Sequence, residues 1–507
     1  MKSTLATGAL LAAAVKSASA DIPDGVVQFD VARRQPHPRL LRRASTTQTD
    51  ITNDLTQGGY FIKCEIGTPA QSLTLQLDTG SSDIWVPASD ASVCETSKSN
   101  GGCTLGSFAS DSSSTFEVVG KDEFSISYVD GSHSDGDYFT DVFSIGGSSV
   151  TNMTMGLGSD TDIPYGLVGV GYKTDEAIVS DKQSLSAAYD NLPIVMLNEG
   201  LIKTNAYSLW LNDLDASTGS LLFGGIDTDK YHGDLTRISI YKDSSTGVFT
   251  SFIVALTSVQ AVSSSGADTL TSTGFPVAAV LDSGTTLSYL PQDLAQEIWT
   301  EVGAVYNSEA GAALIPCSRA SSGGYLSFGF GGPGGALINV TMDELVLDLT
   351  STGNAPTFTS GRYAGQDACE FGIQNATTDP YLLGDTFLRS AYVVYDLVNN
   401  QIALAPTDFN ATSSNIVAFA SSGAAIPSAT VAPSQAAVTA TSAFTTPAYA
   451  AATGFSSSSS TSSSSGSSSG SSSGSKSAAG MVSVPMDMIH VGLVSMAMFA
   501  AGGMLVL

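Results

Sequence analysis

Leu73-Thr74-Leu75-Gln76-Leu77-Asp78-Thr79-Gly80-Ser81-Ser82 is the stretch that decides the fold, and Ala278-Ala279-Val280-Leu281-Asp282-Ser283-Gly284-Thr285-Thr286 repeats its pattern in the second half of the chain. Each stretch is an apolar run typical of a β-strand, and each run ends on an aspartate. A glycine two residues later allows the backbone to turn where a larger residue would be strained. Both stretches therefore predict a carboxylate at the end of a strand, and we expect the two carboxylates to act together.

The overall composition is that of a large, acidic globular protein. The chain has 507 residues, 42% of them apolar, so it can bury a large core. There are 47 Asp and Glu residues against 20 Lys and Arg, a formal net charge of −27. Such a surface argues against nucleic-acid binding. It suits a protein that works in acid, where protonated carboxylates repel one another less, although solubility alone would also explain it.

Two segments at the N-terminus are typical of a secreted precursor. Residues 1–20 combine a basic residue, an apolar run and the small residues Ala18-Ser19-Ala20, which predicts a signal peptide. The basic segment 21–43 ends in Leu40-Leu41-Arg42-Arg43 and predicts a propeptide, with the mature chain beginning near Ala44. The alternative is a solvated arm that stays attached. While it is attached, its cations are expected to lie against the acidic body and keep the protein inactive.

Secretion would place the five cysteines in an oxidising compartment, where thiols tend to pair. Cys94 and Cys103 flank a polar, glycine-containing loop that a local disulfide would close. Cys317 and Cys369 are the two cysteines of the second half and form the other predicted pair. Cys64 lies in an alternating apolar run, which favours a buried, unpaired thiol.

Between residues 47 and 406 the sequence has the pattern of β-structure, with short alternating or apolar runs separated by Gly, Asp, Asn and Ser clusters. The runs lie at residues 60–66, 73–77, 124–128, 138–145, 207–211, 221–223, 391–396 and 401–405. Helical patterns are few, chiefly residues 183–190 and 292–305. These features predict a mostly β protein.

The composition changes after residue 407. Residues 408–475 are rich in Ala, Ser, Thr and Pro, and their last part is almost entirely Ser and Gly, which cannot bury a core. They predict a disordered stalk that suits O-glycosylation. Four sequons, each a weak motif, predict N-glycosylation at Asn152, Asn339, Asn375 and Asn410.

The last residues predict a glycosylphosphatidylinositol (GPI) anchor. Small residues, a short spacer and a terminal apolar tail follow the stalk, so residues 476–507 are expected to be removed and the anchor attached between Gly474 and Ala478. The alternative is a transmembrane helix, since about 20 residues can span a bilayer. Such a helix usually has Lys or Arg beyond it, and none follows here, which favours the anchor. The expected location is the cell surface, at the plasma membrane or in the cell wall.

A single Asp-Ser/Thr-Gly triplet is weak evidence of function, because about one is expected by chance in a chain so rich in these residues. Each aspartate alone could be an Asx-turn residue between strands. Two triplets, each after an apolar run and each followed by a further hydroxyl residue, are harder to explain in that way.

The surroundings of both triplets resemble a pepsin-type aspartic protease. The first-lobe segments are residues 60–71, 73–87, 128–132 and 166–171, and the second-lobe segments are residues 278–286, 381–389 and 393–396. The resemblance covers about residues 55–406. Together with the GPI-type tail, it is closest in appearance to the yapsin and candidapepsin-like surface proteases of fungi.

The resemblance implies a bilobal fold of two pseudo-symmetric β lobes, residues 44–224 and 225–407, with the active site in the cleft between them. Asp78 and Asp282 would then share one water and one proton, as the aspartate pairs of pepsin-type proteases do. The ionised aspartate takes a proton from the attacking water, and the protonated one hydrogen-bonds the peptide carbonyl. Neither a covalent intermediate, a metal nor a cofactor is required. The sequence does not determine which aspartate holds the proton.

Other residues are expected to support this pair. Ser81 and Thr285, three residues after each aspartate, could donate hydrogen bonds to the outer carboxylate oxygens. The resemblance implies that Thr79 and Ser283 reach across to the opposite lobe. Gly80 and Gly284 complete the two loops.

Residues 124–138 alternate and then turn at Asp130-Gly131, which predicts a hairpin. The resemblance makes this hairpin the flap that closes over the substrate, with Tyr128 at the cleft and Trp85 hydrogen-bonded to its hydroxyl. Asp130 could pair with a Lys or Arg side chain just before the scissile bond. The alternative is that Asp130 is a plain turn residue.

Other classes of protein fit less well. The four histidines lie in no serine-hydrolase or metalloprotease motif. A non-catalytic GPI-anchored wall or adhesion protein, or an inactive protease-like binder, would suit the stalk and anchor, but neither needs a second intact aspartate site. The sequence therefore predicts a monomeric aspartic endopeptidase that acts on peptides or proteins in acid.

Overall fold

The computed structural model describes residues 22–33, 59–95, 102–216, 218–270, 275–308, 310–349, 356–378, 380–435 and 447–456. The predicted signal peptide, the pair Arg42-Arg43 and the predicted anchor signal lie outside these residues. Among the described residues, no helix is both long and apolar enough to cross a membrane.

Strands dominate the structure, so the mostly β prediction is confirmed. The first half contains β1 (Val27–Arg33), β2 (Tyr60–Ile66), β3 (Gln71–Asp78), β4 (Ile84–Pro87), β5 (Glu117–Ser127), β6 (His133–Ile145), β7 (Ser148–Thr161), β8 (Leu167–Gly169), α1 (Ala177–Asp181), α2 (Leu192–Asn198), β9 (Ala206–Trp210), β10 (Thr218–Phe223) and β11 (Gly225–Asp227).

The second half continues the numbering. It contains β12 (Leu235–Ser239), β13 (Ile253–Ser263), β14 (Gly266–Leu270), β15 (Val277–Leu281), β16 (Ser288–Pro291), α3 (Gln292–Val302), β17 (Val305–Asn307), β18 (Ala312–Pro316), β19 (Tyr325–Phe330), β20 (Ala336–Thr341), α4 (Met342–Leu345), β21 (Val346–Leu347), β22 (Ala368–Phe371), β23 (Ile373–Ala376), β24 (Tyr381–Leu383), α5 (Asp385–Leu388), β25 (Ala391–Asp396), β26 (Gln401–Pro406), β27 (Ile416–Ala418) and β28 (Ala429–Val431).

The two halves of the chain build similar active-site strands. In the first, β3 pairs in parallel with β8, and β4 runs antiparallel to β8. In the second, β15 pairs in parallel with β24, and β16 runs antiparallel to β24. The repeated sequence pattern is therefore a repeated structure, as the bilobal prediction requires.

One large sheet runs through both halves. Pairing of β2 with β6 closes six strands, β2, β3, β8, β4, β7 and β6, into a barrel. From β2 the same sheet continues through β1, β10 and β9 of the first half and then, without a break, through β25, β26 and β12 of the second half. The second half adds an eight-stranded sheet that carries β15.

The predicted propeptide contributes an interior strand. β1 lies between β10 and β2, and its Phe29 and Val31 are buried. Arg33 Nη1 donates to the Leu214 carbonyl at 2.5 Å. The period-2 pattern of Val27, Phe29 and Val31 indicates a half-buried strand, a signal that the prediction of a propeptide did not use.

The two predicted helices differ in outcome. Residues 183–190 form only one turn of 3₁₀ helix, Leu185–Ala187, because Gln183 has a φ of +49° and Leu185 is exposed, so no apolar face is buried. The second is α3, whose Leu294, Ile298 and Val302 are buried as their spacing predicts. Gly303 ends this helix at a φ of +85°, earlier than predicted.

Residues 408–435 and 447–456 are folded, although the sequence predicted a disordered stalk from residue 408. Within 408–435, β27 pairs with β11 and β28 pairs in parallel with β12. Residues 447–456, the docking segment, pack on the second half of the chain. The richness in Ala, Ser, Thr and Pro predicted disorder, yet Phe419 and Phe455 are fully buried and anchor these segments. Residues 457–475 lie outside the described residues.

The docking segment is held by backbone hydrogen bonds to one carboxylate. Ala448 N–H and Ala451 N–H donate to the two oxygens of Asp268 in β14, at 3.1 and 3.0 Å. Gly454 N–H donates to Ser265 Oγ at 2.9 Å, and the Phe455 ring fills the space beside Gly324. The segment is therefore part of the folded body.

Docking of this segment is expected to depend on pH. Glu301 of α3 is 1% exposed, and burial, followed by the adjacent Asp268, raises its pKa to about 7. Glu297 and Tyr449 are the other titratable groups of this cluster. Burial of Glu301 favours its protonated form and outweighs the hydrogen bond from Ala451 N–H, which favours the ionised form. Docking is therefore expected to be favoured in acid and to weaken as the pH rises from the ordinary glutamate pKa towards about 7.

Hydrogen exchange of residues 447–456, corrected for the intrinsic pH dependence, should therefore speed up between pH 5 and pH 8. Glu301→Gln keeps the neutral form and should remove most of that change. Equal pH dependence in both proteins would contradict the assignment to Glu301.

Candidate active site

Asp78 is the last residue of β3, and it is fully buried. Gly80 N–H donates to its Oδ1 at 2.7 Å, and Ser81 Oγ donates to its Oδ2. Ser81 thus has the partner that its position three residues after the aspartate predicted.

Asp282 follows β15 and is held in the same way. It is fully buried, Gly284 N–H donates to its Oδ1 at 2.8 Å, and Thr285 Oγ1 donates to its Oδ2 at 2.5 Å. The two aspartates thus have matching sets of donors from their own loops.

The two loops are locked to each other by Thr79 and Ser283. Thr79 Oγ1 donates to the Leu281 carbonyl at 3.0 Å and accepts from Ser283 N–H at 2.9 Å. Ser283 Oγ donates to the Leu77 carbonyl at 3.1 Å and accepts from Thr79 N–H at 3.2 Å. These reciprocal bonds cross between the halves of the chain and fix the two carboxylates relative to each other.

The glycines are needed for space rather than for a left-handed backbone. A Cβ on Gly80 would lie 2.5 Å from Asp282 Oδ1, and a Cβ on Gly284 would lie 2.4 Å from Asp78 Oδ1. Neither glycine has a positive φ. From the sequence, both glycines were expected to allow a backbone turn. The structure shows instead that the absence of a side chain lets the carboxylate of the opposite loop approach.

The environment favours a single proton on the pair. Burial raises the pKa of Asp78 well above its usual value, and the adjacent Asp282 carboxylate raises it further. Burial also raises the pKa of Asp282. Each rise is opposed by the donors of the aspartate's own loop, Gly80 and Ser81 for Asp78, and Gly284 and Thr285 for Asp282. The pair therefore favours one shared proton in acid.

The predicted flap is the hairpin of β5 and β6. Its Tyr128 is buried, and Trp85 Nε1 donates to the Tyr128 hydroxyl at 2.7 Å. Burial and then the Asp78 carboxylate raise the pKa of Tyr128. Gly131 turns the tip with a φ of +86°.

Asp130 at the flap tip caps its own turn. Its Oδ1 accepts hydrogen bonds from Ser132 N–H at 2.9 Å and Ser132 Oγ at 2.6 Å. These are the contacts of a turn aspartate, the alternative that the sequence left open. The side chain is half-buried.

The remaining predicted residues lie away from this site. Disulfides join Cys94 to Cys103 and Cys317 to Cys369, and Cys64 is buried and unpaired. Of the sequon asparagines, three are exposed and one is half-buried. The exposed ones are Asn152, Asn339 and Asn410, and the half-buried one is Asn375.

Two polar residues of the active-site stretch were missed. Gln76 Nε2 donates to the Gly284 carbonyl at 3.3 Å and adds a further bond between the halves. Asp83 is fully buried behind the flap. The one sequence feature that pointed to Asp83 is its position as an ionisable residue next to the apolar strand β4. Its hydrogen-bond partners could not be predicted, because they come from distant parts of the chain.

Two buried aspartates on matching loops, linked across a bilobal β fold and covered by a hairpin, define an aspartic-type peptidase. A sequence model described as "Eukaryotic aspartyl protease" matches residues 59–407. The chain belongs to this family, and the predicted resemblance is confirmed.

Curated relatives agree with this assignment. The chain is 42% identical over 411 residues to "Probable aspartic-type endopeptidase OPSB" of Arthroderma benhamiae, a match that covers 80% of each protein. It is 33% identical to "Aspartic proteinase 3" of Saccharomyces cerevisiae, covering 79% of the chain and 78% of that protein. It is 35% identical to "Secreted aspartic protease 8" of Candida albicans, covering 74% and 81%. The protein is therefore an aspartic-type endopeptidase, an enzyme that acts on peptides or proteins.

Proposed function

We propose that the protein is a secreted, surface-anchored endopeptidase that hydrolyses peptide bonds in acid with Asp78 and Asp282 as its catalytic pair. The observation that carries this proposal is the pair of matched, fully buried carboxylates with raised pKa values. Ionised Asp282 takes a proton from water as the water attacks the peptide carbonyl. Protonated Asp78 hydrogen-bonds the carbonyl oxygen and stabilises its developing charge. One chain supplies both aspartates, so a monomer suffices.

Acidic conditions follow from the shared proton. Above the higher pKa of the pair both carboxylates ionise and no proton donor remains, and below the lower pKa no base remains. The test is the pH dependence of peptide hydrolysis by the protein without residues 457–507. A bell-shaped profile with an acidic maximum supports the proposal, and a rate that keeps rising through neutral pH overturns it.

Secretion and anchoring rest on the two ends of the sequence. The support is the order of stalk, small residues, spacer and apolar tail, together with the name of the Candida albicans relative. Treatment of intact cells with a phospholipase specific for phosphatidylinositol should release the enzyme. Retention on the membrane after this treatment, with solubilisation by detergent, would indicate a transmembrane helix instead.

Residues 21–43 are proposed to be a propeptide that keeps the enzyme inactive. The basic composition and the pair Arg42-Arg43 support this role, but residues 34–58, which would have to reach the cleft, lie outside the described residues. N-terminal sequencing of the secreted enzyme tests it. A fully active enzyme that keeps residues 21–43 would contradict the proposal.

Asp130 is proposed to favour Lys or Arg before the scissile bond, because its side chain is at the flap tip and only half-buried. Asp130→Ala should lower the preference for a Lys-containing over a Leu-containing peptide by about 2- to 5-fold, the range of an exposed ion pair. The control is Asp135→Ala, an acidic residue of the same hairpin whose side chain is 46% exposed. If the Lys-to-Leu ratio is unchanged in Asp130→Ala, Asp130 is only a turn residue.

A further inference from the structure

Asp83 is a fully buried carboxylate to which the catalytic scheme gives no role. Tyr189 OH and Tyr138 OH donate to its Oδ1 at 2.7 and 3.2 Å, and Ala177 N–H donates to its Oδ2 at 2.8 Å. A buried carboxylate is costly unless donors surround it, and these three bonds meet that need.

The donors of Asp83 come from three separate elements. Tyr138 belongs to the flap strand β6, Ala177 begins α1, and Tyr189 lies between α1 and α2. The backbone of Asp83 is fixed as well, because its carbonyl accepts from Gly169 N–H at 2.9 Å. Since Asp83 comes five positions after Asp78, its carboxylate ties the flap strand directly to the catalytic loop.

Packed aromatic side chains continue this connection towards the flap tip. The Tyr138 ring meets the Phe124 ring edge-on with centroids 5.3 Å apart, and Phe124 lies 6.3 Å from Trp85. Trp85 in turn donates to the Tyr128 hydroxyl at 2.7 Å. A contiguous set of buried side chains therefore joins Asp83 to the residue that covers the catalytic pair.

The hydrogen bonds to Asp83 favour its ionised form. Burial raises the pKa of Asp83, and the donors Ala177 N–H, Tyr189 OH and Tyr138 OH oppose this rise. The nearby Glu176 takes the opposite form, because burial and then the charge of Asp83 raise its pKa to about 10.

We propose that Asp83 is a positioning residue, whose carboxylate holds the flap in register over Asp78 and Asp282 and so sets how tightly the peptide is bound. The proposal rests on the endopeptidase activity and is independent of any preference for basic residues. It assigns Asp83 no contact with the reacting atoms.

The test is Asp83→Asn, which keeps the shape but turns one acceptor into a donor. Because the NH₂ group cannot accept, at least one of the three hydrogen bonds to this side chain must be lost or reversed. We expect the KM for a peptide to rise about 10-fold, corresponding to one lost buried hydrogen bond, while kcat and its pH profile change by less than about 3-fold. Tyr138→Phe, which removes only the hydroxyl on the flap strand, should raise KM in the same direction.

Asp141→Asn is the matched control. Asp141 is also a buried carboxylate on β6, and it accepts from Ser113 Oγ at 2.8 Å, Thr115 Oγ1 at 2.5 Å and Val142 N–H at 2.8 Å. These partners lie away from the flap tip. Asp141→Asn should lower Tm and leave KM unchanged.

If Asp83 were important only for stability, the rise in KM would scale with the fall in Tm in the same way in all three variants. That result would overturn the proposal. So would an unchanged KM in both Asp83→Asn and Tyr138→Phe. If Asp83→Asn fails to fold, the comparison of KM between Tyr138→Phe and Asp141→Asn tests the proposal. An inactive wild-type protein would instead contradict the endopeptidase activity itself.

Discussion

Asp78→Asn is expected to lower kcat for peptide hydrolysis by about 10²- to 10⁴-fold, the usual contribution of general acid–base catalysis. An asparagine has no titratable proton to share with Asp282. Its Oδ1 can still accept from Gly80 N–H while its NH₂ group donates to Ser81 Oγ, so the loop keeps its hydrogen bonds. Asp282→Asn, which removes the proposed base, should lose at least as much. Initial rates with a peptide at about pH 4 measure both effects.

The same substitution should stabilise the fold, which separates lost chemistry from lost structure. The pKa of Asp78 is raised, so the folded protein keeps a proton that the unfolded chain releases, and stability falls as the pH rises above the ordinary aspartate pKa. Asp78→Asn removes this penalty. Its Tm should exceed that of the wild type at neutral pH, and the difference should shrink towards about pH 4. A lower Tm together with lost activity would indicate misfolding instead.

Gly284→Ala is expected to reduce kcat by about 100-fold, the effect of displacing a catalytic group by roughly 1 Å. The new Cβ would lie 2.4 Å from Asp78 Oδ1. Asp78 cannot easily retreat, because Gly80 and Ser81 hold both of its oxygens. The two carboxylates would therefore be forced apart while the binding surface of the flap is unchanged.

Gly323→Ala is the matched control for this prediction. A Cβ at Gly323 would meet nothing within 4 Å, and its φ is not positive, so the same chemical change should leave kcat and Tm as they are. Equal kcat for Gly284→Ala and the wild type would show that the close approach of the second loop to Asp78 is not needed for catalysis.

Much of the site was predictable because local patterns determine it. An apolar run, an aspartate, a glycine and a hydroxyl fix the strand end and the donors of each carboxylate within eight residues or so. The reciprocal hydrogen bonds of Thr79 and Ser283 could be predicted only from the family resemblance, because the two residues are 204 positions apart.

What the sequence did not predict depends on distant partners. Asp83 matters because Tyr138 and Tyr189, which are 55 and 106 positions away, donate to it. The docking segment was predicted to be disordered because it lies in a stretch rich in Ala, Ser and Thr, and its hydrogen bonds to Asp268 and the space beside Gly324 explain why it folds. The helix expected at residues 183–190 lacks a neighbouring surface against which to bury Leu185.

The interior position of β1 changes what cleavage near Arg43 would mean. β1 precedes the predicted cleavage site and β2 follows it, yet the two strands pair in one sheet. A cut between them would leave a noncovalent complex of a short peptide and a long one, whose stability depends on protein concentration through mass action. An uncut precursor refolds as one molecule, whereas the cut enzyme, once unfolded and diluted, would have to recapture a strand that has diffused away.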